Sequence, residues 1–145
     1  MPLKFSIRRV VVALGASWLL NYFWEVGQCP LFANAAPMRV HAVRCAVSAI
    51  GDVFLLLLTY AMTALARRQK NWVLADRPGV GMAICMALGL IFTVGIERWA
   101  LQSGRWAYGP KMLAVFGIGL LPLLQWIVVP ALLFVILRRR SGKWA

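Results

Sequence analysis

Four long apolar runs organise the chain, over 10–32, 42–66, 80–101 and 112–137. Crossing ~30 Å of hydrocarbon takes about 20 helical residues, so each run predicts one transmembrane helix. The linkers 33–41, 67–79 and 102–111 are short. Short linkers imply that sequence neighbours pack antiparallel. The expectation is one domain over 1–145: an all-α, integral membrane, antiparallel four-helix bundle. Pro122 and Pro130 fall in the fourth run and are expected to interrupt it, freeing the carbonyls of Ile118 and Trp126.

Polar residues break these runs in a pattern. At the far end of the first run stand Asn21, Trp24, Glu25, Gln28, Cys29 and Pro30. At ~100° per residue, Asn21, Glu25 and Gln28 fall on one face, joined by Trp18. The second run carries His41, Arg44, Ser48 and Asp52 on one side, with Cys45 at its edge. The third carries Gly89, Thr93 and Glu97 at i, i+4 spacing, and the fourth places Ile118, Pro122 and Gln125 together. A lipid-facing carboxylate costs several kcal/mol, so these faces are expected to turn inward. Glu25 precedes Asp52 by 27 residues and Glu97 precedes Gln125 by 28, a faint echo of a duplicated hairpin.

Composition supports the membrane class. Hydrophobic residues make up 62% and charged residues 14%, against roughly 45–50% and about 25% in soluble domains. The net charge of +12 does not indicate nucleic acid binding, because the basic residues stand between apolar runs rather than on a soluble face. They indicate topology instead. Lys4, Arg8, Arg9, Arg67, Arg68, Lys70, Arg77, Arg138, Arg139, Arg140 and Lys143 fall on one side, and Arg39, Arg44, Arg98, Arg105 and Lys111 on the other. That bias predicts cytoplasmic termini in a multi-pass membrane protein. Ala33-Asn34-Ala35 lies too far beyond the first apolar run for a signal cleavage site, so that run is read as a retained span. Trp24, Trp99, Trp106 and Tyr108 at one face, and Trp72 and Trp144 at the other, are expected to anchor the interfaces.

Three of the four acids, Glu25, Asp52 and Glu97, lie in apolar runs at similar predicted depth, and Asp76 lies in a linker. This is the candidate chemistry. A protonated carboxyl among apolar walls is a general acid, and tryptophan faces stabilise a carbocation. Glu25, Asp52 and Glu97 are the candidate catalytic residues for cyclisation, hydration or isomerisation of an isoprenoid-like lipid. Asn21, Trp24, Gln28, Arg44, Trp106, Tyr108 and Gln125 are the candidate substrate-binding residues. Arg44 or Arg105 would hold one acid ionised. Two other readings use the same residues: a non-catalytic accessory or lipid- or pigment-binding subunit of a larger membrane complex, and a proton- or cation-coupled transporter. The expected partner is a membrane lipid, with homo-oligomers open.

No CxxC, HxxH or ExxH pair, P-loop, GxGxxG or nucleophile elbow occurs, so no metal or cofactor is expected. Cys29 and Cys45 fall near one membrane face, where an oxidising compartment permits a disulfide; packing as small apolar side chains is the simpler expectation for all three cysteines.

The pattern Asn21-x-x-Trp24-Glu25-x-x-Gln28-x-Pro30-Leu31, then Gly51-Asp52, then Glu97 with Gly104-Arg105-Trp106-x-Tyr108, then Pro122-Leu123-Leu124-Gln125-Trp126, covers most of the chain. It resembles small four-helix inner-membrane proteins of bacteria with no assigned activity. In architecture alone the chain is similar to membrane-bound terpene and carotenoid cyclases, which work through intramembrane carboxylates. The paired acids after a proline that mark carotenoid cyclases are absent here.

Overall fold

The computed structural model describes residues 7–33, 38–75 and 77–141. Lys4, Lys143 and Trp144, invoked above for topology and anchoring, and the linker acid Asp76 lie outside the described residues, as do Asn34 and Ala35 and the side chains of Arg9, Arg39 and Arg140. The four helices are α1 (Ile7–Gln28), α2 (Met38–Ala66), α3 (Gly79–Gln102) and α4 (Leu120–Ser141). All four are long and apolar enough to cross a membrane. That architecture is compatible with a polytopic membrane protein.

Helix ends follow local chemistry. Pro30 cannot donate to a continuing helix, and α1 tightens into a 3-10 turn over Cys29–Leu31. Two helices close with the same capping motif. After α2, Gln69 N donates to Ala64 O at 3.0 Å and Arg68 N to Leu65 O at 3.0 Å, with Arg68 at φ +50°. After α3, Arg105 N donates to Ala100 O at 2.9 Å and Gly104 N to Leu101 O at 3.3 Å, with Gly104 at φ +68°. Both are Schellman caps, and glycine suits the left-handed residue far better than arginine does.

The fourth span differs from expectation. It begins at Leu120, not at 112. Residues before it form a tight hairpin, β1 (Ala114–Val115) paired antiparallel with β2 (Ile118–Gly119). Phe116 and Gly117 both have positive φ, the turn that suits the twist of a two-residue hairpin. Leu113, Val115 and Phe116 extend the apolar run without extending the helix. Pro122 therefore stands in the first turn of α4, where its missing N–H costs little, and only Pro130 lies inside the helix.

Each helix packs on the next, and α4 closes the ring against α1. One apolar cluster is built on Leu56, Trp126 and Val129, with Leu20, Trp24 and Leu90 against it. A second joins Trp72, Val73 and Cys85 to Tyr60 and Phe134. Trp72 was expected at an interface. It is instead 2% exposed, its ring tilted against that of Tyr60 and its indole Nε1 3.4 Å from Tyr60 O. Large apolar side chains such as Phe54, Leu65 and Ile91 point outward, as they do where the solvent is hydrocarbon.

Candidate functional site

The interior of the helix ring is polar at one end. On α1, Ser17, Asn21 and Gln28 are buried at helical spacing, with Trp24 and Glu25 half-buried beside them. On α2 the inward face is Cys45, Ala49, Asp52, Leu56, Thr59 and Thr63. On α3 it is Cys85, Gly89, Thr93, Glu97 and Ala100. Gln125 and Trp126 supply it from α4.

Gln125 is the hub. Its Nε2 donates to Asn21 Oδ1 at 2.9 Å and to Asp52 Oδ2 at 3.0 Å. One carboxamide thus ties α4 to α1 and to α2. Asn21 Nδ2 in turn donates to Ser17 O at 3.0 Å. Glu25 accepts from Gln28 Nε2 at 2.8 Å and lies against the same Gln125 carboxamide. Glu25 is within Coulombic range of both Asp52 and Glu97, so the structure brings the three acids into one neighbourhood.

Glu97 has a different environment. Its Oε2 accepts from Trp106 Nε1 at 3.2 Å and from the Tyr108 hydroxyl. Tyr108 OH also accepts from Gly119 N at 2.9 Å. The strand-like pairing of Phe32 with Tyr108, through Ala33 N to Ala107 O at 2.9 Å and Gly109 N to Leu31 O at 2.8 Å, ties the ends of α1 and α3 together there. Burial, and then the Glu97 carboxylate, push the Tyr108 phenol above its ordinary range.

Among the described residues, the hydrogen-bond partners of all three acids are neutral side chains. The arginines expected beside them stand elsewhere. Arg44 is exposed on α2, as is Ser48. The inward face runs through 45, 49 and 52, and a residue one step away is rotated by ~100°. Arg105 lies over the Trp99 ring, 4.4 Å from its centroid.

Three buried polar atoms, Ser17 Oγ, Trp24 Nε1 and Gln28 Oε1, have no hydrogen-bond partner among the described residues. All three belong to the inward stripe of α1. Ser17 was not singled out from sequence, because a lone serine in an apolar helix commonly back-bonds within its own helix. Cys29 and His41 were also missed as a pair: Cys29 Sγ, at the end of α1, lies 2.8 Å from His41 Nδ1 in the first turn of α2. Among the described residues, no group of three or more His, Cys, Asp or Glu side chains is arranged to hold a metal ion.

Comparison with protein-family models, curated proteins and solved structures returns no match. The class defined by fold and composition is a chain of four membrane-spanning-capable helices with a polar interior at one end.

Proposed function

We propose that this is a multi-pass bacterial inner-membrane protein, an antiparallel bundle with both termini cytoplasmic, that binds an apolar isoprenoid-like lipid beside Glu25 and Asp52. The observation that carries the reading is the set of unpaired polar atoms along α1. A buried donor or acceptor left unpaired costs ~1–3 kcal/mol, and a ligand oxygen recovers that cost. Trp24 Nε1 is a donor and Gln28 Oε1 an acceptor, so a lipid hydroxyl, which both accepts and donates, suits them. Leu20, Leu55 and Leu90, packed on the Trp126 cluster, offer apolar walls for the remainder.

In this reading the chemistry is acid–base. One carboxyl of the Glu25–Asp52 pair protonates the lipid, the Trp24 ring faces the resulting cation, and the other carboxylate removes a proton. Atoms balance without a cofactor. Glu97 is a positioning residue, because both its hydrogen bonds come from the loop that follows α3. The likeness to small inner-membrane proteins belongs to the same proposal. A second reading, a lipid-binding subunit without turnover, draws on the way Gln125 fixes Asp52 in place.

Mass spectrometry of lipids co-purified with wild-type and Glu25→Gln protein tests both. Turnover predicts that the variant retains a precursor differing from the wild-type lipid by isomerisation or by one water. The same specific lipid in both samples supports binding without turnover. Bulk phospholipid alone in both overturns the proposal.

A further inference from the structure

At the same end of the molecule, three residues outside the acid cluster meet. Cys29 Sγ is 2.8 Å from His41 Nδ1, and Cys45 Sγ is 3.8 Å from Cys29 Sγ. Cys29 sits in the 3-10 turn that ends α1, half-buried and next to exposed Pro30. His41 and Cys45 stand one helical turn apart on α2, with Cys45 buried. The arrangement is that of an accessible thiol, a base in contact with it, and a second thiol behind it.

We propose that Cys29 and Cys45 form a thiol–disulfide exchange pair, with Cys29 attacking, His41 taking its proton and Cys45 resolving. The co-reactant is a small-molecule or protein disulfide arriving at this face. With the ring hydrogen on Nε2, His41 Nδ1 accepts the Cys29 S–H proton. The thiolate attacks one sulfur of the co-reactant, and its S–S bond breaks. The leaving thiolate takes the proton from His41 and departs as a thiol. Cys45 then attacks the Cys29 sulfur of the mixed disulfide. The second leaving thiolate takes the Cys45 proton. Two protein thiols are oxidised to one disulfide, and one external disulfide is reduced to two thiols.

Geometry favours closure. The sulfurs need to approach from 3.8 Å to ~2.05 Å. Cys29 lies in a single short turn rather than in a long helix, so the attacking residue is the one with room to adjust. The third cysteine is an internal control. Cys85 is buried and its Sγ lies 3.5 Å from Thr59 Oγ1, a different partner on a different helix.

The test is treatment of the full chain in detergent micelles with oxidised glutathione, read by intact mass and by alkylated peptides. The expected result is loss of the Cys29 and Cys45 thiols and of the mass of two hydrogens, with Cys85 still reduced. Cys45→Ser should instead retain one glutathione on Cys29, and Cys29→Ser should leave Cys45 unmodified. Cys45→Ala serves if the serine variant does not fold. His41→Ala should slow glutathione capture by about tenfold at pH 7 and make the rate follow hydroxide as a free thiol's does. Alkylation of all three cysteines after treatment, capture at Cys45 without Cys29, or an unchanged pH–rate profile in His41→Ala overturns the proposal.

Discussion

Gly89 on α3 lies directly beneath the indole of Trp126 on α4: a Cβ built at Gly89 would sit 2.0 Å from Cε3 of that ring. The approach of these two helices is set by a missing side chain on one and the largest side chain on the other. Trp126 is also the buried centre of the cluster beside the acids.

Gly89→Ala should therefore destabilise the protein by about 1–3 kcal/mol, since a rigid ring cannot yield as a flexible side chain does. Thermal unfolding in detergent measures it. In a Trp126→Leu background the same alanine should cost markedly less, and that coupling distinguishes steric contact from a general intolerance of α3 to substitution.

Gln125→Leu keeps roughly the volume but removes the carboxamide, leaving the Asn21 side-chain oxygen and the Asp52 carboxyl oxygen without their shared donor. The expected loss is about 1–3 kcal/mol. Asp52→Leu in the Gln125→Leu background should recover part of it, because replacing both partners is far less costly than orphaning one. Equal losses in the single and double variants would show that the bridge is not what fixes these helices.

Tyr108 links the pH behaviour to the fold. Its phenol is held above its ordinary range when folded, so the unfolded chain loses that proton first. Stability from this group is complete below pH ~10 and declines as pH rises beyond it. Tyr108→Phe should flatten that decline in denaturation midpoints measured across the alkaline range. It should also loosen the hairpin, since Gly119 N loses its acceptor.

Arg68 caps α2 with φ +50°. Arg68→Gly should raise stability by about 1 kcal/mol, from relief of the left-handed conformation. Chemical denaturation measures it, and a lower midpoint would indicate that the arginine side chain makes a compensating contact.

Reporter fusions address topology. A fusion after residue 145 and an insertion in the linker at 69–71 should report the same compartment, with an insertion at 102–104 reporting the opposite one. The basic residues of 67–77 and 138–143 drive that expectation.

Sequence periodicity found the α1 stripe, because Asn21, Glu25 and Gln28 are polar in an otherwise apolar run and a helix puts them on one side. It found Asp52 and Glu97 for the same reason. It misplaced Arg44 and Ser48, because a polar face drawn through charged residues need not be the packed face; here Cys45 and Ala49 face inward instead. It extended the fourth helix backward to residue 112, because Leu113, Ala114, Val115 and Phe116 carry the hydropathy of a span and the backbone of a hairpin. It could not see Cys29 beside His41, since the two stand 12 residues apart on different elements. It read Trp72 as an interfacial anchor from its place in a linker, while the ring fills space against Tyr60.

The hairpin has a mechanical consequence for α4. At one end, Leu120 N is bonded to Leu113 O at 2.7 Å and Gly119 N to Tyr108 OH. At the other, Arg138 Nη1 donates to Val73 O at 3.2 Å and to Ala75 O at 3.0 Å. A piston stroke of α4 along its axis would have to break both moorings at once. The helix is thus moored at both ends to backbone outside itself.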